Sequence, residues 1–177
     1  MRVYVPAISE NDVKIFEVQT AIKDGDEVVV TGQVESNIVE CVQVALSLFD
    51  FNIIDIEKEL IEHKKIHIHF SDGSFYKEGT SVGLGIICSI LSALNIIKTK
   101  KRALVSGEID LWGNICPVGG IDKKFVNQDY DYYVIPKDNM SNEINADKFK
   151  GKIIAVDTIN ELIERLRIEY INEGINI

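Results

Sequence analysis

Strand-like and helix-like segments intermix along this chain without the regular alternation that builds a doubly wound sheet. Runs rich in β-branched or alternating apolar residues predict strands at 13–21, 26–32, 65–70, 102–112, 132–136 and 150–157. Apolar residues at helical spacing predict helices at 35–51, 56–64, 81–95, 119–128 and 158–174. This order of elements favours an α+β fold, in a single domain that spans residues 1–177.

Turn residues predict how some of these elements connect. The segment "IKDGD" joins the strands at 13–21 and 26–32, which predicts that those two strands form an antiparallel pair. The dipeptide Gly113-Asn114 predicts a two-residue hairpin turn that leads into "ICPV". In the last helix, Leu162, Leu166 and Tyr170 are expected to lie on one face.

The charge balance limits the class of partner. The net charge of −9, from 19 Lys and Arg against 28 Asp and Glu, argues against nucleic acid or an anionic membrane as the main partner. The basic stretch at 98–102 is local and is typical of a solvated loop. The longest apolar stretch, 82–97, is interrupted by polar residues and is too short for a membrane span. The 177 residues contain no GxxxxGK[ST] motif, so we expect no P-loop ATPase within them.

The cysteines indicate the redox environment. Cys41, Cys88 and Cys116 are widely spaced and form no CxxC pair, which argues against a zinc knuckle and against a disulfide framework. We therefore expect reduced, mostly buried thiols in a cytoplasmic protein. Residues 1–12 lack the basic-then-apolar pattern of a signal peptide.

The segment "YKEGTSVGLG" places Ser81, a residue with a small hydroxyl side chain, among glycines at the start of the apolar helix at 81–95. One interpretation is that Thr80 or Ser81 caps this helix. The other is that Ser81 is a nucleophile, which requires a base within hydrogen-bond reach. A lysine can be that base if burial in an apolar site lowers its pKa. The stretch by itself leaves both interpretations open, and capping is the simpler of the two.

Three stretches of the chain resemble the proteolytic domain of the Lon proteases in order and spacing: "KEGTSVG" at 77–83, "SGEI" at 106–109 and "PVGGIDKK" at 117–124. That family carries a "KDGPSAG"-type serine motif, a "TGEI" hairpin and a "PIGGLKEK" stretch with a catalytic lysine. Lys124 follows Ser81 by 43 residues, which matches the family pattern. The resemblance covers most of the chain. It implies a fold like the Lon proteolytic domain, similar to domain 2 of ribosomal protein S5, with mixed small sheets and packed helices.

The resemblance implies a catalytic dyad in which Ser81 is the nucleophile and Lys124 is the general base. Lys123, the neighbouring lysine, is expected to be solvated. Phe125 and Val126 indicate that the helix carrying Lys124 packs into the core. Such a dyad would act through an acyl-enzyme intermediate, and it requires neither a metal nor a cofactor.

The resemblance also implies residues that position the reaction. A helix that starts at Ser81 would aim free backbone N–H groups at a reacting carbonyl, so Gly79 and Thr80 are expected to contribute to an oxyanion hole. Ser106 is expected to hold the lysine amine by a hydrogen bond. The alternative for Ser106 is a strand hydroxyl that is bonded to the backbone.

The histidines raise the question of a metal site. His67 and His69 alternate on one strand face with His63 nearby, and an H-x-H pair can ligate a metal. Lon-type sequences carry a similar His-rich strand without a metal, so we expect packing or hydrogen-bonding roles. Cys88 lies on the same helix face as Ser81 and is expected to be a core thiol.

Because the sequence departs from the family pattern near Ser81, three functions are compatible with it. Thr80 stands where the family commonly has Pro, and Val82 stands where Ala is usual, and both changes bear on the shape of the pocket. The first function is a Ser-Lys endopeptidase. The second is a catalytically inactive Lon-like module for binding or assembly. The third is an esterase or amidase that uses the same acyl transfer.

For the peptidase, the resemblance also implies substrates and partners. The substrate would be a peptide or an unfolded protein. The chain is expected to form a homo-oligomeric ring, commonly a hexamer in this family. Because these residues include no ATPase domain, peptide cleavage is expected to be independent of ATP, and a separate unfoldase is a possible partner.

Overall fold

A computed structural model of the chain describes residues 1–9, 12–125, 128–140, 147 and 149–173. The strands are β1 (Arg2–Ser9), β2 (Asp12–Asp24), β3 (Val28–Thr31), β4 (Lys64–Phe70), β5 (Arg102–Val105), β6 (Glu108–Ile109), β7 (Ile115–Cys116), β8 (Tyr132–Pro136) and β9 (Lys152–Val156). The α-helices are α1 (Ser36–Asp50), α2 (Gly83–Ala93), α3 (Ile121–Phe125) and α4 (Ile159–Asn172). Short 3-10 helices occur at Lys58–Leu60, Thr80–Val82 and Lys137–Asn139. Among these described residues, no helix has both the length and the apolar character needed to cross a membrane.

Seven strands form one mixed sheet in the order β3-β4-β2-β1-β5-β8-β9, and β6 and β7 form a separate two-stranded sheet. Most pairs in the large sheet are parallel, while the β1–β2 and β2–β4 pairs are antiparallel. The prediction of mixed α and β structure is confirmed, but the prediction of several small sheets is wrong. The reason is β1, which sequence patterns did not identify and which pairs with β2 on one edge and β5 on the other.

The predicted antiparallel pairing of β2 with β3 is also wrong, because β4 lies between them. Ile68 of β4 is paired with Thr20 of β2 in antiparallel register and with Val30 of β3 in parallel register. A strand between two neighbours satisfies both rows of its backbone hydrogen-bonding groups. A turn motif indicates that the chain reverses direction, but it does not indicate which two strands pair in the sheet.

The helices cover both faces of the large sheet. Successive strand residues point to opposite faces, so Ala103 and Val105 lie in the main core, which also contains residues of α1, α2 and α4. Leu104, between them, lies in a second core with Ile121 and Phe125 of α3. Full burial of a large apolar side chain is worth about 1.5–3 kcal/mol, so the short helix α3 depends on this packing for its position.

Helix α4 begins and packs as its sequence predicts. The Thr158 hydroxyl accepts a hydrogen bond from the Glu161 N–H at 3.2 Å, which caps the helix. Leu162 and Leu166 are buried, and Tyr170 on the same face is half-buried. The helix ends at Asn172, so the last predicted helical residues lie partly outside the described part of the chain.

The segment predicted as one strand at 102–112 is broken at Ser106-Gly107, where the chain leaves the large sheet and enters the β6–β7 hairpin. The hairpin turn spans 110–114, so the predicted two-residue turn is wrong. The Asp110 carboxylate accepts hydrogen bonds from the N–H groups of Trp112 and Asn114, each at 2.9 Å. This side chain closes a wider turn than the Gly-Asn pair would by itself.

Candidate active site

Ser81 lies in the 3-10 turn that precedes α2. Gly79 begins this turn with φ of +99°, a conformation that glycine adopts without strain. Within the described residues, no side chain caps either the turn or α2. The Thr80 hydroxyl instead donates a hydrogen bond to the Glu108 carboxylate at 2.8 Å. The capping interpretation of Thr80 and Ser81 is therefore wrong, and the hydroxyl of Ser81 needs another explanation.

The backbone fixes the serine turn to the segment that follows β5. The Gly107 N–H donates to the Ser81 carbonyl at 2.9 Å, and the Leu84 N–H donates to the Gly107 carbonyl at 2.9 Å. A Cβ atom at position 107 would lie 2.8 Å from Leu84 Cδ2, so a larger residue there would displace the Leu84 side chain. The Ser106 N–H donates to the Val134 carbonyl at 3.1 Å, which ties the same segment to β8.

Lys124 reaches Ser81 from α3, on the other face of the sheet. Its Nζ donates a hydrogen bond to Ser81 Oγ at 3.3 Å. Lys124 is only 7% exposed, whereas Lys123 is exposed to solvent. Phe125 is fully buried and holds the helix against the sheet, while Val126 lies outside the described residues. Of the two neighbouring lysines, the one expected from the sequence is therefore the one that contacts Ser81.

Burial lowers the pKa of the Lys124 ammonium, because desolvation penalises the charged form. No carboxylate among the described residues counteracts this effect. A neutral amine at this position can accept the proton of the Ser81 hydroxyl. The 3.3 Å separation is slightly longer than an optimal catalytic hydrogen bond, as is common in sites without substrate.

Ser106 is fully buried, and its hydroxyl has no hydrogen-bond partner among the described residues. Neither the expected bond to the Lys124 amine nor the alternative bond to the backbone is present. A buried hydroxyl without a partner costs about 1–3 kcal/mol and is uncommon. The positioning role of Ser106 stays a prediction.

The turn that carries Ser81 is open on the side of Gly79. A Cβ atom added at Gly79 would meet no atom within 4 Å, so there is space beside the backbone. The first amides of a helix have no acceptors inside it, so the start of this turn can offer donors to a substrate carbonyl. The oxyanion roles of Gly79 and Thr80 stay predictions. Glu108, the partner of Thr80, lies in the "SGEI" motif, but nothing in the sequence indicates that it would hold the Thr80 hydroxyl.

The histidines contact other side chains away from Ser81. The Thr31 hydroxyl lies 3.0 Å from His67 Nε2 and 2.8 Å from His69 Nδ1. His63 pairs with Asp26 at 2.9 Å. In the part of the chain that the structure describes, no three potential metal ligands lie close enough to hold an ion.

Cys88 is a core thiol, as expected. It is fully buried in α2, and burial raises its pKa to about 12. Cys41 is also buried, and its Sγ lies 3.8 Å from the Thr80 carbonyl oxygen. Burial, with smaller contributions from Glu108 and Glu40, raises the pKa of Cys41 to about 11. Neither thiol has the lowered pKa of a cysteine nucleophile.

Comparison with a family model and with individual proteins points to one family. Residues 7–168 match the family model of the Lon protease (S16) C-terminal proteolytic domain. The chain is 30% identical over 169 residues to a Lon protease of Clostridium beijerinckii, an alignment that covers 89% of this chain and 21% of the relative. It is 32% identical over 162 residues to a Lon protease of Campylobacter jejuni, with 81% and 20% covered. A peroxisomal Lon protease homolog 2 of Caenorhabditis elegans is 27% identical over 147 residues, with 80% and 19% covered. The chain spans about a fifth of the length of these relatives.

Proposed function

Because this chain belongs to the Lon protease family, matching its C-terminal proteolytic domain, we propose that it is a serine peptidase whose dyad is Ser81 and Lys124. The observation that carries the proposal is the 3.3 Å hydrogen bond between Lys124 Nζ and Ser81 Oγ. The burial of Lys124 supports it, because only a neutral amine can act as a base.

The chemistry follows from the positions of these groups. The neutral Lys124 amine takes the proton of the Ser81 hydroxyl as the oxygen attacks the carbonyl carbon of a peptide bond. The negative charge that develops on the carbonyl oxygen is stabilised by amides at the start of the serine turn. Lys124 then gives its proton to the leaving amine, and an acyl-enzyme on Ser81 remains. Lys124 then takes a proton from a water molecule that attacks this ester, and it returns the proton to Ser81 Oγ as the carboxylic acid product leaves, which regenerates both groups.

The structure weakens one argument for an inactive binding module. Val82, which is larger than the usual family residue, is only 2% exposed and lies in the main core. Its extra bulk is therefore packed within the core and away from solvent. The Thr80 side chain is held by Glu108. The retention of Ser81 and Lys124 at hydrogen-bond distance favours the peptidase over a module that needs only the fold.

We further propose that the substrates are short peptides or unfolded protein segments, cleaved without ATP. This proposal concerns these 177 residues by themselves, in which no P-loop motif occurs. A homo-oligomeric ring and a separate unfoldase partner are part of the same proposal, and they rest on the family alone. The cytoplasmic location expected from the cysteines stays a prediction.

The test is covalent labelling of the protein with a fluorophosphonate, followed by mass spectrometry of the labelled peptide. We expect the label on Ser81, and we expect Ser81→Ala to lose both labelling and cleavage of a fluorogenic peptide. Ser47→Ala is the matched control, because the Ser47 hydroxyl bonds within α1, to the Gln43 carbonyl at 2.9 Å, and its loss should leave labelling unchanged. The Ser81 hydroxyl caps no helix, so its loss should change stability by less than the roughly 1 kcal/mol of a lost cap.

The same assay separates the three functions. A folded protein that neither reacts with the probe nor cleaves peptides would support the binding module. Cleavage of small esters without cleavage of peptides would support the esterase. Peptide cleavage at the parent rate by Ser81→Ala would show that Ser81 is not the nucleophile.

A further inference from the structure

A second buried lysine lies four residues before Ser81 and has no part in the proposed chemistry. Lys77 is completely buried. Its ammonium donates hydrogen bonds to the backbone carbonyls of Gly32 at 2.9 Å and Phe75 at 3.3 Å, and also to that of Asp72. The same Nζ lies 4.6 Å from the ring centroid of Phe75 and 5.6 Å from that of Phe16. The charge is thus surrounded by backbone oxygens and aromatic faces.

The three carbonyls match the three donors of a lysine ammonium, so its hydrogen-bonding capacity is filled. The carboxylate of Asp72 does not bond to the ammonium and accepts instead from the Ser74 N–H at 3.0 Å; its charge only partly offsets the lowering of the Lys77 pKa by burial. Burying a charge without a paired carboxylate is unfavourable, and an apolar residue of similar size would often be as stable. Simple space filling therefore does not explain a lysine here.

The backbone of Lys77 is held as firmly as its side chain. Its N–H donates to the Gln33 carbonyl at 3.0 Å, and its carbonyl accepts from the Glu35 N–H at 3.1 Å. The side chain reaches one residue further back, to Gly32. One residue therefore connects the segment between β3 and α1 with the loop at 72–79. That loop ends at Gly79, where the serine turn begins.

We propose that Lys77 is a positioning residue, which holds the loop at 72–79 in the conformation that brings Ser81 Oγ within reach of Lys124 Nζ. The proposal rests on the proposed function of Ser81 and Lys124. It gives the two buried lysines opposite tasks. Lys124 acts as a neutral base, while Lys77 acts as a charged donor to backbone carbonyls. The serine turn has no side-chain cap. Gly107 holds its C-terminal side through the Ser81 carbonyl, and the loop that Lys77 holds leads into its N-terminal side.

The test is Lys77→Met, which keeps the length and the aromatic contacts of the side chain but removes its donors. A displacement of about 1 Å at a reacting group can cost about 100-fold in rate, so we expect kcat for a fluorogenic peptide to fall by about that factor. KM should change little, because the loss is one of orientation. Hydrogen exchange of peptides covering residues 72–81 should increase. Leu162→Ala is the control for general destabilisation, because Leu162 is a buried core residue of α4. This variant should keep the parent kcat at temperatures where the protein is folded.

Parent kcat in folded Lys77→Met, or parent hydrogen exchange of residues 72–81, would overturn the proposal. An equal fall of kcat in Leu162→Ala would also overturn it, because the effect would then reflect stability alone. If Lys77→Met does not fold, Lys77→Leu, which also lacks donors and keeps an apolar side chain, is held to the same criteria. Ser81→Ala in the same assay separates the two hypotheses. Activity without Ser81 refutes the proposed function, whereas the exchange experiment still tests Lys77.

Discussion

Replacing Lys124 with methionine is expected to affect both activity and the pH dependence of stability. Methionine has a similar length but neither charge nor basicity. General acid–base catalysis contributes about 100-fold to 10,000-fold to a rate, so kcat should fall by at least about 100-fold. Lys124 is 7% exposed, and its amine bonds to Ser81 Oγ at 3.3 Å, so the substitution also removes a buried ionisable group.

The sign of the stability effect follows from the lowered pKa of Lys124. Between that pKa and the ordinary lysine value, the unfolded chain binds a proton at this position that the folded chain does not. The free energy of unfolding of the parent therefore rises with pH across this window. Below the window the parent carries the full penalty of a buried ammonium, and above it the parent carries none. Each unit of pKa lowering corresponds to about 1.4 kcal/mol.

The methionine variant lacks this dependence, so its stability relative to the parent should be greatest at low pH and should decline as pH rises through the window. Lys77, whose pKa is also lowered by burial, is present in both proteins and cancels from the difference. Urea unfolding of both proteins from about pH 6 to about pH 10 measures this difference. A difference that stays constant over this range would refute the reasoning about the buried amine.

The catalytic half of the prediction uses the same pH series with a peptide substrate. The rate of the parent should rise toward alkaline pH as Lys124 loses its proton. Lys124→Arg should be as inactive as Lys124→Met, because arginine stays protonated. Lys123→Ala is the matched control, since this exposed neighbour should keep near-parent activity. An active arginine variant, a rate that does not change with pH, or the reverse ranking of the two lysines would contradict the assignment.

Two further predictions concern energy and assembly. Cleavage of short peptides by the 177-residue chain should be the same with and without ATP, and folded proteins should resist cleavage; stimulation of peptide cleavage by ATP would contradict this. The net charge of −9 should weaken self-association at low salt, so sedimentation velocity should show a weak oligomer that forms more readily as salt rises. A monomer with full activity under every condition would contradict the ring.

The sequence by itself determined the features that depend on residues close to one another along the chain. Alternating and helical apolar patterns located β4, β8, β9 and α4, because side-chain direction repeats with a fixed period within one element. The Thr158 cap of α4 follows from residues within one turn. The motifs singled out Ser81 and Lys124, and the burial of Phe125 agrees with the expected packing of α3.

Strand pairing was decided only by the tertiary structure. The turn before β3 was visible, but the insertion of β4 beside it depends on residues about 40 positions away in sequence. The strand β1 joins the antiparallel and parallel halves of the large sheet, and its partners lie far apart in the chain. Local patterns carry no information about which edges meet, because every strand presents the same backbone donors and acceptors.

In the candidate site, too, the sequence indicated some features and the fold decided others. The resemblance selected Lys124 over Lys123, and the packing of α3 gives the physical basis, because it turns Lys124 inward and Lys123 outward. The Thr80 hydroxyl looked like a helix cap until the fold brought Glu108 beside it. Lys77 is the first residue of the serine motif, and no sequence pattern indicated that it is completely buried among carbonyls from two separate segments. The pKa of such a group and the atoms that it can bond depend on burial and on backbone atoms that are distant in sequence. These atoms lie beside the group only after the chain has folded.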